Sequence, residues 1–186
     1  DQEPIALANP LSSDMSVMRT TIWSGLLNSL IYNVNRQQDQ VKLFETGLCF
    51  SQPRDQADLT FDNIAQIRKL AGVACGRRES ESWANSSELI DFYDLKGDLE
   101  SILALSGDPD AFSMSAGSHP ALHPGQTAVI EKHGEKCGFV GLLTPRIQQS
   151  LDIRYPIFLF EIEIDVLIPK TLAQHTPMSR FPEIRR

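Results

Sequence analysis

An α+β fold with a largely antiparallel sheet is the architecture this sequence predicts. Three observations point there. Apolar residues recur at helical spacing over 15–34 and again over 91–105. Two apolar runs, 127–130 and 137–143, flank His133-Gly134, which is a hairpin signal. The elements then run helix, strands, helix, hairpin, helix, strand, which suggests hairpins with helices set to one side.

Ala8-Asn9-Pro10-Leu11-Ser12-Ser13-Asp14 is a turn-rich lead-in to the first helix, with Ser13 or Asp14 as the expected cap. Met15, Met18, Ile22, Leu26 and Leu30 form one stripe, and Trp23, Leu27, Ile31 and Val34 a second beside it. An arc this wide predicts a helix buried on much of its circumference. Gly25 in its middle costs about 1 kcal/mol against Ala, which close packing of another backbone would explain. Val41 to Phe50 reads as a central strand, since both faces carry apolar residues, and Pro53 to Asn63 as a polar loop.

Leu70 to Cys75 is the next strand, ended by Gly76. A polar excursion from Glu79 to Glu88 carries one tryptophan, Trp83. The helix over Asp91–Leu105 buries Leu95, Leu99, Ile102 and Leu103 and stops at Gly107. Phe112 and Met114 predict a short strand. Thr144-Pro145 opens a helix with Thr as cap and Pro in the first turn. Ile157 to Ile164 is the last strand, also apolar on both faces.

The 186 residues suffice for one domain with a full core, or one domain and a small appendage. A content of 41% hydrophobic and 22% charged residues is that of an ordinary globular protein, not a disordered or fibrous one. A net charge of -7, with a pI of about 5.0, argues against a surface that grips nucleic acid by charge alone. Cys49, Cys75 and Cys137 are odd in number and far apart, so neither a disulfide framework nor a zinc site is expected, and a reducing cytoplasm fits. No apolar run approaches the roughly 20 residues that span a bilayer. The first residues, Asp1 to Ile5, and the last, Arg185-Arg186, read like the interior of a longer protein.

Several clusters invite a chemical reading. His119 and His123 stand four apart, a spacing that lets two imidazoles share a metal on a helix, but Pro120 and Pro124 argue for a structured loop instead. Gly138-Phe139-Val140-Gly141 lacks the Gly-Lys-Ser/Thr of a phosphate loop, and its glycines fit close backbone approach in a hairpin strand. Asp91, Asp94, Asp98 and Glu100 have the composition of an acid–base or magnesium site, yet acids at a helix start also stabilise the helix dipole. Glu161, Glu163 and Asp165 read as the polar face of a half-buried strand. The cysteines read as small core hydrophobes. No catalytic, cofactor-binding or metal-ligating residue is assigned from these patterns.

Taken in order, several segments resemble the beta subunit of bacterial phenylalanyl-tRNA synthetase, in its C-terminal catalytic-like core region. Asn9-Pro10-Leu11-Ser12 and Met18-Arg19, five residues apart, are similar to the two ends of the family's "NPLS-x-x-MR" motif, and Trp23-Ser24-Gly25-Leu26-Leu27 and Asn33 to Gln37 continue it. Leu43-Phe44-Glu45-Thr46-Gly47 resembles the family's "FE-x-G" strand, and Asp91 to Gly97 its "DF-x-DLKG" element. His123-Pro124-Gly125, the Gly138–Gly141 pair, Phe160-Glu161 and Ser179-Arg180-Phe181-Pro182 complete the set.

The resemblance implies a degenerate class II aminoacyl-tRNA synthetase-like antiparallel sheet flanked by helices. It implies a core domain over 1–178 and, over 179–186, the stub of an anticodon-binding-like domain. The partner would be the alpha subunit, which holds the working site, in an (αβ)2 tetramer. The assembled cytoplasmic ligase would use ATP and magnesium to attach phenylalanine to its tRNA, with no cofactor in this piece and no membrane partner. The family's magnesium-binding, editing and tRNA-binding domains would lie upstream. An active class II site also needs an arginine on a central strand and another on a late helix, to stabilise charge on the transferring phosphorus. Here the strand reads Lys42-Leu43-Phe44-Glu45, and the late candidate, Arg146, lacks its preceding acid. The leading expectation is therefore a scaffold whose interface is the Met15–Val34 helix. The rival is a free-standing paralogue that binds ATP or an amino acid through Arg146. A third reading uses Arg77, Arg78, Arg185 and Arg186 to contact tRNA directly.

Overall fold

The computed structural model of the chain describes residues 4–12, 15–51, 64–85 and 87–169. Helix α1 spans Trp23–Val34 and is followed by strands β1, Gln40–Ser51, and β2, Ala65–Gly76. Helix α2 spans Phe92–Leu103. Strands β3 (Phe112–Ala116), β4 (Leu122–Lys132) and β5 (Glu135–Leu143) come next, then the short helix α3, Pro145–Ser150, and strand β6, Ile157–Glu163. All six strands form one antiparallel sheet in the order β1-β2-β6-β5-β4-β3.

The sheet has helices on both faces, which corrects the expectation that they lie to one side. Ile22, Trp23, Leu26 and Leu30 bury one face together with Val41, Val73 and Leu159. On the other face Leu95, Leu99 and Leu103 of α2 bury against Val140, Phe158 and Phe160. A strand covered on both sides must be apolar at consecutive positions. That is why β6, inserted between β2 and β5, is buried without a break from Ile157 to Phe160. The apolar residues on both faces of this strand thus go with its central place in the sheet. β1 shows the converse. It was expected to be central, but it is an edge strand, and its even-numbered side leaves Phe44 77% exposed.

Helix α2 follows the sequence closely. Asp91 caps it, accepting the Tyr93 and Asp94 N–H groups, while Asp94 accepts the Asp91 N–H in return. A single 3-10 turn continues to Ser106, and Gly107 ends the element in the left-handed region at φ 77°. The β4–β5 hairpin turns on His133 and Gly134, both at positive φ, as a two-residue turn between right-twisted strands requires.

Helix α1 is shorter than its apolar stripe. Met15 is 61% exposed, and the 16–22 segment is not helical. Leu7 N–H instead donates to the Ser16 carbonyl and Met18 N–H to that of Ile5, making a small antiparallel bridge. The expected caps Ser13 and Asp14 lie outside the described residues, as do the loop expected at 53–63 and the stub expected at 179–186. Leu26 and Leu30 serve this chain's own core, so they are not surplus apolar surface for a partner. A Cβ on Gly25 would meet only Glu45 Oε2, at 3.4 Å, so no backbone approach accounts for that glycine. Thr144 begins α3 in extended conformation with Pro145 after it, but its side chain makes no cap bond.

Two substitutions check this assignment by urea denaturation. Asp91→Ala removes the cap of α2 and is expected to cost about 1 kcal/mol. Leu99→Ala, in the interior of the α2 face, is expected to cost about 3 kcal/mol.

Candidate functional site

The most elaborate polar arrangement centres on Glu161, which follows the apolar run Ile157–Phe160 in β6. Glu161 Oε1 accepts the Thr21 hydroxyl at 2.6 Å and the Ile22 N–H at 2.8 Å. Its Oε2 accepts Lys69 Nζ, from β2, at 2.7 Å. The two side chains are only 12% and 19% exposed, so this is a largely desolvated pair rather than a surface salt bridge. Lys69 Nζ also donates to the Thr20 carbonyl at 3.3 Å. The carboxylate thus meets the N-terminus of α1, where unpaired N–H groups and the helix dipole favour negative charge.

Trp23, at the start of α1, donates its indole N–H to the Phe160 carbonyl at 2.9 Å. The His119 ring stands edge-on between Trp23, at 5.0 Å, and Phe139, at 4.7 Å. These residues wall a cavity of about 680 Å³ whose floor is the Lys69–Glu161 pair and whose rim includes Ser118, Lys136 and Glu163. Burial holds the His119 imidazole below its ordinary value, and the Glu161 carboxylate only partly offsets this. Burial thus favours the neutral ring, and its Nδ1 accepts the Ala121 N–H at 3.2 Å.

The clusters picked out from sequence fall elsewhere or take structural parts. His123 Nδ1 accepts the Gly125 N–H at 3.0 Å, so each imidazole closes its own turn. Gly138 and Gly141 mark close approaches: a Cβ on them would lie 2.3 Å from the Glu161 carbonyl oxygen and 2.6 Å from that of Gln126. Asp91 and Asp94 cap α2 and share Arg78 with Glu88, while Asp98 pairs with Lys42 and Glu100 with Lys96. Burial pushes the Asp94 carboxyl up, but the Asp91 N–H and the Arg78 guanidinium outweigh it and hold the group below the carboxylate range.

Glu161, expected on a polar face, is the centre of the floor, whereas Asp165 sits in a 3-10 turn and binds Arg68 at 2.6 Å. The lone acid within Phe158-Leu159-Phe160-Glu161-Ile162 was the available signal. All three cysteines are buried thiols. Burial pushes Cys75 up to about 12 and Cys137 to about 11, which leaves them protonated and unreactive. Arg146 is exposed on α3 and does not line the cavity, while Arg77 is paired with Asp39. Arg185 and Arg186 lie outside the described residues.

With this geometry in place, comparison with known proteins is informative. The family model described as the phenylalanyl tRNA synthetase beta chain CLM domain matches residues 1–164. The match covers the N-terminal 164 residues of this chain rather than its C-terminal end. A phenylalanine--tRNA ligase beta subunit of Pseudomonas fluorescens (strain Pf0-1) is 43% identical over 184 residues, which is 99% of this chain and 22% of that protein. The same subunit of Pseudomonas putida (strain KT2440) is 45% identical with the same coverage. That of Pseudomonas syringae pv. syringae (strain B728a) is 42% identical. The chain therefore spans 22% of the length of these curated relatives.

Two measurements test the site's electrostatics. Glu161→Gln leaves Lys69 buried without its counter-charge and is expected to lower stability by about 3 kcal/mol. The depressed His119 value means that the unfolded chain binds a proton the folded chain refuses. This contribution is therefore intact above pH 6.5 and lost progressively as the pH falls below it. His119→Gln should accordingly lose less stability than the parent between pH 7.5 and pH 5.

Proposed function

This chain belongs to the family of the phenylalanyl tRNA synthetase beta chain CLM domain, and from that premise we propose that it is a non-catalytic, class II synthetase-like module that scaffolds phenylalanine--tRNA ligase. The partner is the ligase's alpha subunit, in an (αβ)2 cytoplasmic enzyme that uses ATP and magnesium to attach phenylalanine to its tRNA. The core ends near residue 178 and an anticodon-binding-like domain begins after it.

The observation that carries this reading is the pairing of a neutralised cavity floor with an apolar edge left exposed among the described residues. Class II chemistry needs cations aimed at a phosphate. The ammonium on the cavity floor, Lys69, is bound to Glu161, and Arg146, on which the ATP-binding alternative depends, stands on an exposed helix away from the cavity. Surface for a partner, by contrast, is present. Phe44, Leu70, Ile102, Leu105 and Leu167 line an apolar groove of about 390 Å³ between β1 and α2. Phe44 and Leu105 are largely exposed there, and Leu48 extends the patch along β1. Exposed apolar surface concentrated at a sheet edge is what a subunit interface covers. The interface expected on the buried side of α1 is thereby moved to the opposite face of the sheet.

The test is sedimentation velocity on the full-length beta subunit mixed with its alpha subunit. Phe44→Glu together with Leu48→Glu should leave the fold intact by circular dichroism and weaken association at least about tenfold, the scale of losing one well-buried aromatic anchor. Unchanged association of the double variant would remove this surface from the interface.

A further inference from the structure

An imidazole nitrogen holds the chain closed between β3 and β4. His119 Nδ1 accepts the Ala121 N–H at 3.2 Å, with Pro120 between them, and the His119 carbonyl accepts the Leu122 N–H at 3.0 Å. The Ala121 carbonyl accepts the Thr144 N–H at 2.9 Å, which ties the same turn to the end of β5. Ser118, His119, Pro120 and Ala121 form one wall of the cavity above the Lys69–Glu161 pair, and the ring is wedged against Trp23 of α1 and Phe139 of β5. An accepting Nδ1 is unprotonated, with its lone pair turned to the N–H. A proton there makes it a donor facing a donor, and the turn loses its bond. The charged neighbours offset this only in part. β6 presents Glu161 and Glu163, β2 Lys69 and β5 Lys136, while α1 presents the uncharged Trp23. Glu161 is already engaged by Lys69, Thr21 and Ile22, and Glu163 stands at the rim. Lys136 Nζ lies 4.1 Å from the Phe139 ring centroid, so a second cation at that ring is opposed by the first.

We propose that His119 is a proton-operated latch: uptake of one proton at Nδ1 breaks the 119–121 turn and opens the cavity wall over residues 117–122. Burial disfavours the imidazolium; Glu161 opposes this, and Lys136 and Lys69 add to it. The folded value is thereby lowered, so the latch is closed above the ordinary imidazole range and opens as the pH falls below it. Opening stops at the β4–β5 hairpin, whose ladder of backbone bonds does not titrate. His123 supplies an internal comparison. Its Nδ1 accepts the Gly125 N–H at 3.0 Å across Pro124, the same turn chemistry, but it does not line the cavity, so its protonation frees only its own turn. The latch belongs to this chain's own fold and does not rest on the scaffold reading.

Hydrogen–deuterium exchange read by mass spectrometry tests it, on the full-length beta subunit in its assembled enzyme, at pH 7.5 and pH 5 with rates corrected for the intrinsic pH dependence of amide exchange. The amides of 118–122 and of Thr144 are expected to lose protection at least about fivefold at the lower pH, the scale of losing one intramolecular hydrogen bond. Those of 128–132, in the hairpin, should keep theirs. His119→Asn should abolish the response, because the Asn side-chain oxygen accepts the N–H two residues on, as the imidazole does, and does not titrate. His123→Asn should respond as the parent does, and it keeps the test decisive where the His119 variant fails to fold. Equal protection of 118–122 at both pH values in the parent, an undiminished response in His119→Asn, or a lost response in His123→Asn would each overturn the proposal. Such a failure would leave the sedimentation result untouched, so the two readings fail separately.

Discussion

The Glu161 carboxylate ties together three elements that otherwise meet only through apolar contact. It sits on the central strand β6, binds an ammonium from β2, and receives the first backbone N–H of the segment that becomes α1. A helix start buried against a sheet has N–H groups that water cannot reach, and each must find an acceptor. Here the acceptor comes from a strand nearly 140 residues later in the chain. This explains where α1 begins. The segment before it carries helical apolar spacing, but its backbone groups bond back to Ile5 and Leu7. The helix begins where the Glu161 cap stands.

The same pair constrains the sheet. Ala71 lies opposite Glu161 and Lys69 opposite Glu163, so the Lys69–Glu161 contact is a diagonal one across β2 and β6. A slip of one residue would turn Lys69 to the α2 face, among Phe158 and Phe160 and away from Glu161. A buried ion pair adds little stability relative to a well-packed apolar pair, but it is costly to mispair. The glycines act in the same direction by shape. Gly72 leaves room for the Phe160 ring, which an added Cβ would approach to 2.4 Å, and Gly138 leaves room for the backbone of β6. Charge and volume therefore specify one register for strands whose apolar composition alone would tolerate several.

Legibility in the sequence followed how local each cause was. Helix α2 was readable to within two residues because its cap, apolar stripe and stop lie within one short segment, from Asp91 to Gly107. The β4–β5 hairpin was readable for the same reason, its turn residues lying between its strands. The start of α1 was not, since its cap is supplied by Glu161. Nor was the order of strands: β1 and β6 both show apolar residues on two faces, and only the topology makes one an edge and the other central. The cavity was half legible. His119 and the Gly138–Gly141 strand stood out by composition, but Glu161 looked like one acid in an alternating row until Lys69 was brought beside it.

The disposition of cations decides how such a surface can recognise partners. Arg19, Lys42, Arg68, Arg77 and Arg78 each pair with a carboxylate of this chain, several of them across the sheet or from sheet to helix. A guanidinium already held by Glu88, Asp91 and Asp94, as Arg78 is, presents little field to a phosphate backbone. With a surplus of acids beyond those pairs, the long-range potential repels nucleic acid and does nothing to steer it. What remains for specific contact on the described surface is short-range, namely the apolar edge around Phe44 on one face and the cavity above the Lys69–Glu161 pair on the other. Recognition through either therefore depends on shape and desolvation, and so is far less sensitive to salt than a phosphate-gripping surface would be.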